Sequence, residues 1–328
     1  MIIIAPDKFK GTLSAIQAAR AIAGGLRAAG ADEPMMLCPM ADGGDGTAEV
    51  LEPMLRGTGS VVESHRCVGP QCFGDTPPQE RSSFALGLAL REAAERGGTV
   101  YAAIGGTACC DGGAGMLQAL GMRAFDACGH EITLPLCPQL LPRLARVDFS
   151  GICVSPGTIT ALSDVRAALV PEPGALSALD FARQKGFSAS ALPELEHSLA
   201  HWQRIASRRT SAVDGAGGGI GFALASVLGA DFHSGADFIL DRYALPFGKA
   251  RLVVTGEGCI DGQTGGGKVV DAVVRRARAA GVPVLAIGGK VCGSHPFPTL
   301  ACSAPEEAVP ATAAEATRRI VRALARSL

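Results

Sequence analysis

The sequence has no excess charge of either sign, few aromatic residues and no long apolar run. Of its 328 residues, 30 are Lys or Arg and 31 are Asp or Glu, which leaves a formal net charge of −1. A chain this close to neutrality has no broad positive field to hold nucleic acid or an anionic membrane surface. No stretch reaches the ~18 apolar residues that a membrane-spanning helix needs. We therefore expect no nucleic-acid partner and no membrane, so any anionic ligand must be bound by local groups.

The number and spacing of the cysteines do not indicate a set of disulfide bonds. The eleven cysteines are odd in number and form no C-x-x-C pair, and Cys109 and Cys110 are adjacent. Scattered cysteines in a chain of this length are typical of buried, reduced thiols in the cytosol. The apolar run at residues 2–4 is short and Asp7 and Lys8 follow it closely. We therefore expect no signal peptide and a cytoplasmic protein.

Glycine and aliphatic residues are abundant instead, with 43 glycines and 48% hydrophobic residues. Short apolar runs alternate with patterns of helical period, which is typical of α/β proteins. Strands are predicted at residues 2–5, 35–39, 100–104, 152–154, 159–162, 251–255 and 284–287. Helices are predicted from Ser14 to about Gly24 or Gly30, and at residues 47–55, 192–207, 220–228, 268–280 and 311–327.

A loop with one acid and two lysines follows the first predicted strand and leads into the first predicted helix, from Pro6 to Ser14. Open α/β sheets bind anions at such junctions, because a helix N-terminus presents free N–H groups. Lys10 can neutralise a phosphate or a carboxylate there, and Asp7 can hold a metal or a hydroxyl group. The alternative is a solvated loop in which Thr12 or Ser14 caps the helix.

A tight turn at residues 41–47 places Asp42 and Asp45 among three glycines. Glycines let the backbone approach a ligand closely, and the carboxylates can hold Mg²⁺ or take a proton from an attacking hydroxyl group. The alternative is a plain turn without a ligand.

Two more glycine-rich segments, residues 105–116 and 215–221, each precede a predicted helix. Successive backbone N–H groups in such segments can cradle an anion, and close packing of helix on sheet is the alternative use. Neither contains a clean G-x-G-x-x-G, so a dehydrogenase-type dinucleotide site is weakly supported.

The segment at residues 255–268 is the most specific of these motifs. Residues 262–268 satisfy G-x-x-x-x-G-K, but Val269 stands where a P-loop needs Ser or Thr for its metal, so we reject a true P-loop. A glycine-rich loop with Glu257, Asp261 and Lys268 at a helix start still indicates a phosphate and metal site.

Taken in order, these segments resemble motifs of the bacterial class I glycerate kinases. Residues 5–15 (A-P-D-K-F-K-G-T-L-S-A) are similar to that family's A-P-D-S-F-K-G-S-L-S-A. Residues 39–47 match P-M-A-D-G-G-E/D-G-T, and residues 105–121 are similar to G-G-S-A-T-N-D-G-G-A-G-M-L-Q-A-L-G. Residues 184–186 match a Q-K-G element, and residues 255–264 match T-G-E-G-x-x-D-G-Q-T.

The middle of the chain departs from the family pattern. Between residues 68–70 and 82–83 it is several dozen residues shorter, and we expect it to lack the strand and helix that carry an acidic I-E-M-A-like segment. The family's T-T-x-G-T-G becomes S-S-F-A-L-G at residues 82–87, and C-D-V-T-N-P-L becomes S-D-V-R-A-A-L at residues 163–169.

The resemblance implies two α/β domains, with a Rossmann-like domain at residues 1–63 and 236–328 and a second α/β domain inserted at residues 64–235. It also implies ATP-dependent phosphorylation of glycerate, giving 2-phosphoglycerate, with Mg²⁺ as the metal. Another small hydroxy acid as substrate, or a catalytically impaired homologue that binds a nucleotide or metabolite, are the alternatives. The oligomeric state is left open, with a homo-oligomer among the options.

We assign provisional roles on this basis. The catalytic candidates are Lys10, Asp42, Asp45 and Lys185, with the lysines meeting phosphate or the substrate carboxylate and an aspartate orienting or deprotonating the substrate hydroxyl. The expected Mg²⁺ ligands are Glu257 and Asp261. The expected nucleotide-binding residues are Gly105, Gly106, Asp111, Gly217, Gly218, Gly219, Gly256, Gly267 and Lys268.

Overall fold

The computed structural model describes residues 1–155, 157–208, 215–261, 269–302, 315 and 318–323. The chain divides into two compact units. Unit 1 consists of Met1–Asp42, Glu49–Met54 and Ser234–Leu328, and unit 2 consists of Gly43–Ala48 and Leu55–His233. The domain boundaries expected from the sequence stay a prediction.

The strands within the described residues are short, apart from two near the end of the chain. In chain order they are β1 (Ile2–Ile4), β2 (Met35–Leu37), β3 (Gly59–Glu63), β4 (Thr99–Ala103), β5 (Arg123–Phe125), β6 (Arg146–Asp148), β7 (Ile159–Leu162), β8 (Asp231–His233), β9 (Leu252–Ile260), β10 (Val284–Val291) and β11 (Thr299–Ala301).

The α-helices are α1 (Ala15–Ala28), α2 (Thr47–Leu55), α3 (Ser64–Val68), α4 (Phe84–Glu95), α5 (Ala114–Ala119), α6 (Leu192–Ala206), α7 (Ile220–Phe222), α8 (Gly235–Tyr243) and α9 (Val269–Ala279). A π-helical turn, Ala223–Val227, continues α7. Single 3₁₀ turns lie at Pro70–Cys72, Pro78–Glu80, Leu141–Arg143, Ala178–Phe181, Arg183–Lys185, Ala189–Ala191 and Phe247–Lys249.

Unit 1 is built on a parallel sheet with the strand order β11-β10-β9-β1-β2. The continuous apolar run of β1 suits a strand buried on both faces. Its alternate residues enter different cores: Ile2 and Ile4 pack in the cluster that contains Ile22 of α1, and Ile3 packs in the cluster that contains Val270 of α9. Helices therefore cover both faces of this sheet.

Unit 2 is built on a second parallel sheet, with the order β3-β4-β7-β8, and a small antiparallel pair, β5-β6. One large apolar core fills it, in which Trp202 of α6 is fully buried. The Trp202 indole N–H donates to the Gly112 carbonyl oxygen at 3.0 Å, so the polar atom of this side chain is satisfied inside the core.

The predicted fold class is confirmed, since both units are α/β and their main sheets are parallel. Ser14 is the N-cap of α1 and forms a capping box with Gln17, as one of the two interpretations of that loop predicts. Of the helix predicted at 311–327, residues 315 and 318–323 are helical, and the remainder lies outside the described residues.

One sequence-based expectation is wrong. Residues 152–154 are not a strand, and Cys153 instead donates its N–H to the Leu120 carbonyl oxygen after α5. Between residues 70 and 82, where a strand and a helix were expected to be absent, the described residues form only 3₁₀ turns; β3, which ends at Glu63, and α3, which begins at the next residue, precede this stretch. The apolar run before Glu63 is only two residues long, which is too short to identify a strand by pattern.

Within the described residues no helix combines the length and the apolar composition that crossing a membrane requires.

Candidate functional site

Three acidic residues of unit 1, Asp42, Asp7 and Glu257, lie toward the carboxyl ends of the neighbouring strands β2, β1 and β9. The connection β1-α1-β2 runs toward one edge of the sheet and β9-α9-β10 runs toward the other, so the strand order reverses between β1 and β9. Open α/β sheets bind ligands at such a switch point. Asp7 lies there, and its N–H donates to the Gly256 carbonyl oxygen at 2.8 Å.

Asp7 and Asp42 share one lysine at this switch point. The Lys8 ammonium lies 3.5 Å from an Asp42 carboxylate oxygen and 3.8 Å from an Asp7 carboxylate oxygen. Burial, opposed by Lys8, raises the pKa of Asp7 to about 7, and the nearby charges of Asp42 and Glu257 add to the increase. The switch point therefore holds more negative charge than the single lysine offsets.

This group of carboxylates fits a divalent cation bound through oxygen. Mg²⁺ prefers one or two carboxylates together with phosphate oxygens and water, and Asp7, Asp42 and Glu257 interact electrostatically at this point. Burial raises the pKa of the Cys259 thiol, and the charges of Asp261 and Glu257 raise it further. Asp261 and Glu257, the two expected ligands, therefore lie near the same side chain of β9.

Lys10 lies beyond these acids, in an exposed turn. Thr12 and Leu13 both donate their N–H groups to the Phe9 carbonyl oxygen, and Gly11 adopts a positive φ of 80°. A Cβ on Gly258 would lie 3.1 Å from the backbone nitrogen of Lys10. The absence of a side chain at Gly258 therefore lets this turn pack directly on β9.

Gly256 has a packing role that needs no ligand. It pairs with Ile287 of β10, and a Cβ added to it would collide with the Ile287 carbonyl oxygen. Its assignment to nucleotide binding stays a prediction. Gly267 and Lys268, expected beside it in the same site, lie outside the described residues.

In unit 2 the turn at residues 43–48 lies on the loops that follow β4 and β7. Gly105 donates its N–H to the Gly43 carbonyl oxygen at 3.1 Å. Gly43 adopts a φ of 85°, and a Cβ there would lie 2.6 Å from the Leu162 carbonyl oxygen. A Cβ on Gly105 would lie 2.8 Å from the Gly44 Cα. These glycines allow two backbone segments to touch.

The exposed carboxylate of Asp45 lies on this turn, next to His65 of α3. The His65 Nε2 atom lies 3.1 Å from an Asp45 carboxylate oxygen. Gly106, with a φ of 74°, makes room for this imidazole, because a Cβ there would lie 2.9 Å from the His65 Cβ.

Asp111 is fully buried and hydrogen-bonded inside the protein, and its assignment as a nucleotide contact stays a prediction. Its carboxylate accepts hydrogen bonds from both the N–H and the hydroxyl of Ser83 at 2.7 Å, and from the N–H groups of Gly113 and Gly115 at 3.1 Å. Burial raises the pKa of Asp111, against these four hydrogen bonds, which lower it. Asp111 therefore fastens the start of α4 to the start of α5.

Lys185 fastens the glycine loops of unit 2. Its ammonium group donates to the Thr107 hydroxyl at 2.7 Å and to the Cys109 carbonyl oxygen at 3.0 Å. A Cβ on Gly218 would lie 2.8 Å from the Lys185 Nζ atom. One ammonium hydrogen is left over from these two bonds, so contact with a ligand is compatible with this position.

The glycine run before α7 packs against the loop that follows β4. Its members Gly217, Gly218 and Gly219 all have positive φ, between 67° and 88°. A Cβ on Gly217 would lie 2.9 Å from the Ile104 carbonyl oxygen, and one on Gly219 would lie 2.6 Å from the Gly112 Cα. Close packing is enough to require glycine here, and nucleotide binding by this run stays a prediction.

Four residues that the sequence analysis did not single out are built into these sites. Lys8 directly follows Asp7, but the nearby Lys10 is an equally good candidate by sequence pattern, so the pattern does not single out Lys8. Glu63 and His65 follow a run of only two valines. Ser83 belongs to a segment that resembles its family counterpart poorly, and its only signal is a position just before the apolar helix α4.

Comparison with known proteins gives one consistent result. A family model described as "Glycerate kinase family" matches residues 2–71 and 53–316, two stretches that overlap in the region of β3 and α3. A glycerate kinase of Halalkalibacterium halodurans is 34% identical over 333 residues, with 88% of this chain and 85% of that protein covered. A glycerate 2-kinase of Escherichia coli K12 is 34% identical over 332 residues, with the same coverage.

A solved structure shows the same architecture. The crystal structure of a provisionally assigned glycerate kinase 2 from Salmonella typhimurium LT2 superposes with a TM-score of 0.78 at 28% sequence identity. The superposition covers 99% of this chain and 95% of that chain.

Proposed function

Because the chain belongs to the glycerate kinase family, we propose that it transfers the terminal phosphoryl group of ATP to glycerate and produces 2-phosphoglycerate. The name of the Escherichia coli relative, glycerate 2-kinase, supports the 2-hydroxyl as acceptor. The observation that carries the proposal is the group of Asp7, Lys8, Asp42 and Glu257 at the switch point of the unit 1 sheet. Phosphoryl transfer depends on charges held in place around the phosphates.

Glu257 and Asp261 are the proposed ligands of Mg²⁺ in this scheme. Bound Mg²⁺ supplies positive charge to the phosphate oxygens. The raised pKa of Asp7, caused first by burial and then by Asp42 and Glu257, supports a cation here, because added positive charge favours the ionised carboxylates.

The remaining roles belong to lysines and to one aspartate. Lys10, Lys185 and Lys268 are proposed to meet phosphate oxygens or the substrate carboxylate, and Lys8 is a further candidate because it already lies between two acids. Asp42 or Asp45 is proposed to orient the substrate hydroxyl and accept its proton. Both carboxylates retain exposed surface, which this role requires.

Another small hydroxy acid is the second candidate substrate. The altered residues at 163–169 favour it, because they follow β7 at the carboxyl edge of the unit 2 sheet, where ligand-binding loops of parallel sheets lie. A panel of hydroxy acids compared by kcat/KM separates the two candidates.

The test is ADP release by the purified protein with ATP, Mg²⁺ and D-glycerate, followed by identification of the phosphoglycerate isomer by mass spectrometry and phosphorus NMR. We expect 2-phosphoglycerate. Glu257→Gln should lower kcat/KM by about 100-fold or more, because charge held at the reacting phosphate is removed. The matched control is Glu196→Gln, on the exposed face of α6, which should retain wild-type turnover.

Two results count against the proposal. Absence of ADP release with D-glycerate would remove glycerate as the substrate. Tight ATP binding by calorimetry with no turnover on any hydroxy acid would indicate the catalytically impaired homologue.

A further inference from the structure

The three residues at the junction of β3 and α3 all bond to the glycine-rich loops of unit 2. Glu63 accepts a hydrogen bond from the Ala48 N–H at 2.9 Å. Ser64 donates its hydroxyl to the Gly105 carbonyl oxygen at 2.9 Å. His65 places its Nε2 atom 3.1 Å from an Asp45 carboxylate oxygen. Residues of β3 and α3 therefore contact the turn at 43–48 at the Asp45 side chain and at the Ala48 backbone.

The imidazole of His65 is more fixed than the carboxylate it contacts. The His65 side chain is 20% exposed and the Asp45 side chain is 55% exposed. Gly106 packs against the His65 Cβ. The Nδ1 atom is buried without a hydrogen-bond partner, so Nε2 is the ring nitrogen that faces a carboxylate. His65 thus contacts Asp45 through Nε2, at ion-pair distance.

Glu63 does not compete for this imidazole. One of its carboxylate oxygens accepts from Ala48, and the other forms an ion pair with the Arg66 guanidinium. Ligand atoms of Asp45, Glu63 and His65 lie within 4.8 Å of one another. The positive charge of Arg66 at Glu63 opposes a metal ion in that space and favours a direct contact between His65 and Asp45.

We propose that His65 is a positioning residue that holds the Asp45 carboxylate in one rotamer for the substrate hydroxyl. This rests on the proposed function, in which Asp45 is one of two candidates to orient or deprotonate that hydroxyl. Without this contact the exposed carboxylate samples several rotamers. The chemical step then slows, while binding of ATP is unaffected.

The experiment compares His65→Ala, His65→Gln and Asp45→Asn in the full chain by steady-state kinetics with ATP and D-glycerate. We expect His65→Ala to lower kcat by about 10- to 100-fold with little change in the KM for ATP, because misplacement of a reacting group acts on the chemical step. His65→Gln keeps an N–H donor near the position of Nε2, and kcat should return to within about 3-fold of wild type.

Two further measurements separate positioning from a structural role. The double variant Asp45→Asn/His65→Ala should lose no more kcat than Asp45→Asn alone, because the residues act through one contact. The control His130→Ala removes another histidine beside an aspartate, Asp126, on the surface of unit 2 and should leave kcat unchanged.

Additive losses in the double variant, equal losses in His65→Ala and His65→Gln, or Mn²⁺ binding that His65→Ala abolishes would each overturn the proposal. A fully active Asp45→Asn variant would do the same. If the wild-type protein turns over no hydroxy acid, the proposed function fails first. The contact is then tested by the urea-unfolding midpoints of His65→Ala, Asp45→Asn and the double variant. If the two single shifts add up to the shift of the double variant, the His65–Asp45 contact is rejected as well.

Discussion

At the scale of single residues, Asp7 links the charge of the candidate site to the stability of unit 1. Its pKa is raised to about 7, mainly by burial, so the folded protein holds this proton to a higher pH than the unfolded chain does. The stability that this proton contributes is fully present below about pH 4 and is lost as the pH rises toward 7.

Asp7→Asn should remove this pH dependence. Relative to the variant, wild-type protein should lose roughly 2 to 3 kcal/mol of unfolding free energy between pH 5 and pH 8. Urea unfolding in metal-free buffer at the two pH values measures the difference. The exposed residue Asp32 provides the control, since Asp32→Asn should keep the wild-type dependence. Parallel curves for wild type and Asp7→Asn would contradict the prediction.

Sequence reasoning found the loops at this scale more reliably than the side chains. Asp42 and Glu257 were predicted from glycine-rich turns after strands, and both lie at the expected end of the unit 1 sheet. The lysine that contacts these acids is Lys8, which spacing did not indicate, while Lys10 lies in a turn closed by hydrogen bonds to the Phe9 carbonyl oxygen and its role stays a prediction. The direction of a side chain in a loop depends on such bonds, which spacing does not show.

At the scale of elements, Ser83 joins α4 to α5. Its hydroxyl donates to Asp111 at 2.7 Å and accepts from the Met116 N–H at 2.8 Å, and all of these groups are buried. In Ser83→Ala the Asp111 carboxylate and the Met116 N–H each lose one hydrogen bond, and neither group is accessible to water to replace it. We expect a loss of about 1 to 3 kcal/mol in unfolding free energy.

Urea denaturation measures this loss. Ser190→Ala is the matched control, because Ser190 is exposed and its hydroxyl bonds to the exposed Ser188 hydroxyl. We expect a change of under about 0.5 kcal/mol there. Equal effects of the two substitutions would show that the Ser83 hydroxyl is not a structural link.

The elements that the sequence missed or shortened share one physical reason. Strand β9 continues through Gly256 and Gly258 to Ile260 because it pairs with β10, and glycines in a sequence indicate loops. Strand β3 has only two consecutive apolar residues and owes its strand conformation to pairing with β4. Strand pairing is a contact between distant residues, so local patterns underestimate it.

At the scale of the whole molecule, unit 2 contains a continuous segment with a core of its own. Every member of its large apolar cluster, including Trp202 and Leu90, lies between residues 55 and 233. We expect a fragment of residues 55–233 to fold alone. Far-UV circular dichroism and a cooperative urea transition check this, and a fragment of residues 1–54 is the control that should stay unfolded, since it lacks β9 and β10. A gradual transition for residues 55–233 would contradict the prediction.

The α/β class was predictable from the alternation of apolar runs and helical patterns, because short apolar runs such as Ile2–Ile4 are buried on both faces of a parallel sheet. The order of strands was not predictable from those patterns. The pairing of β1 with β9 joins residues that are some 250 positions apart, as in Ile2 with Leu252, and only the family resemblance pointed to it.

The pairing of β1 with β9 delays completion of the unit 1 sheet during protein synthesis. The first strand leaves the ribosome with its helix and β2, but the central neighbour it needs is still untranslated. At about 5–20 residues per second, the nascent chain waits for roughly 10 to 50 seconds before β9 emerges. During this interval the contiguous segment of unit 2, which is complete by His233, can fold before unit 1 does.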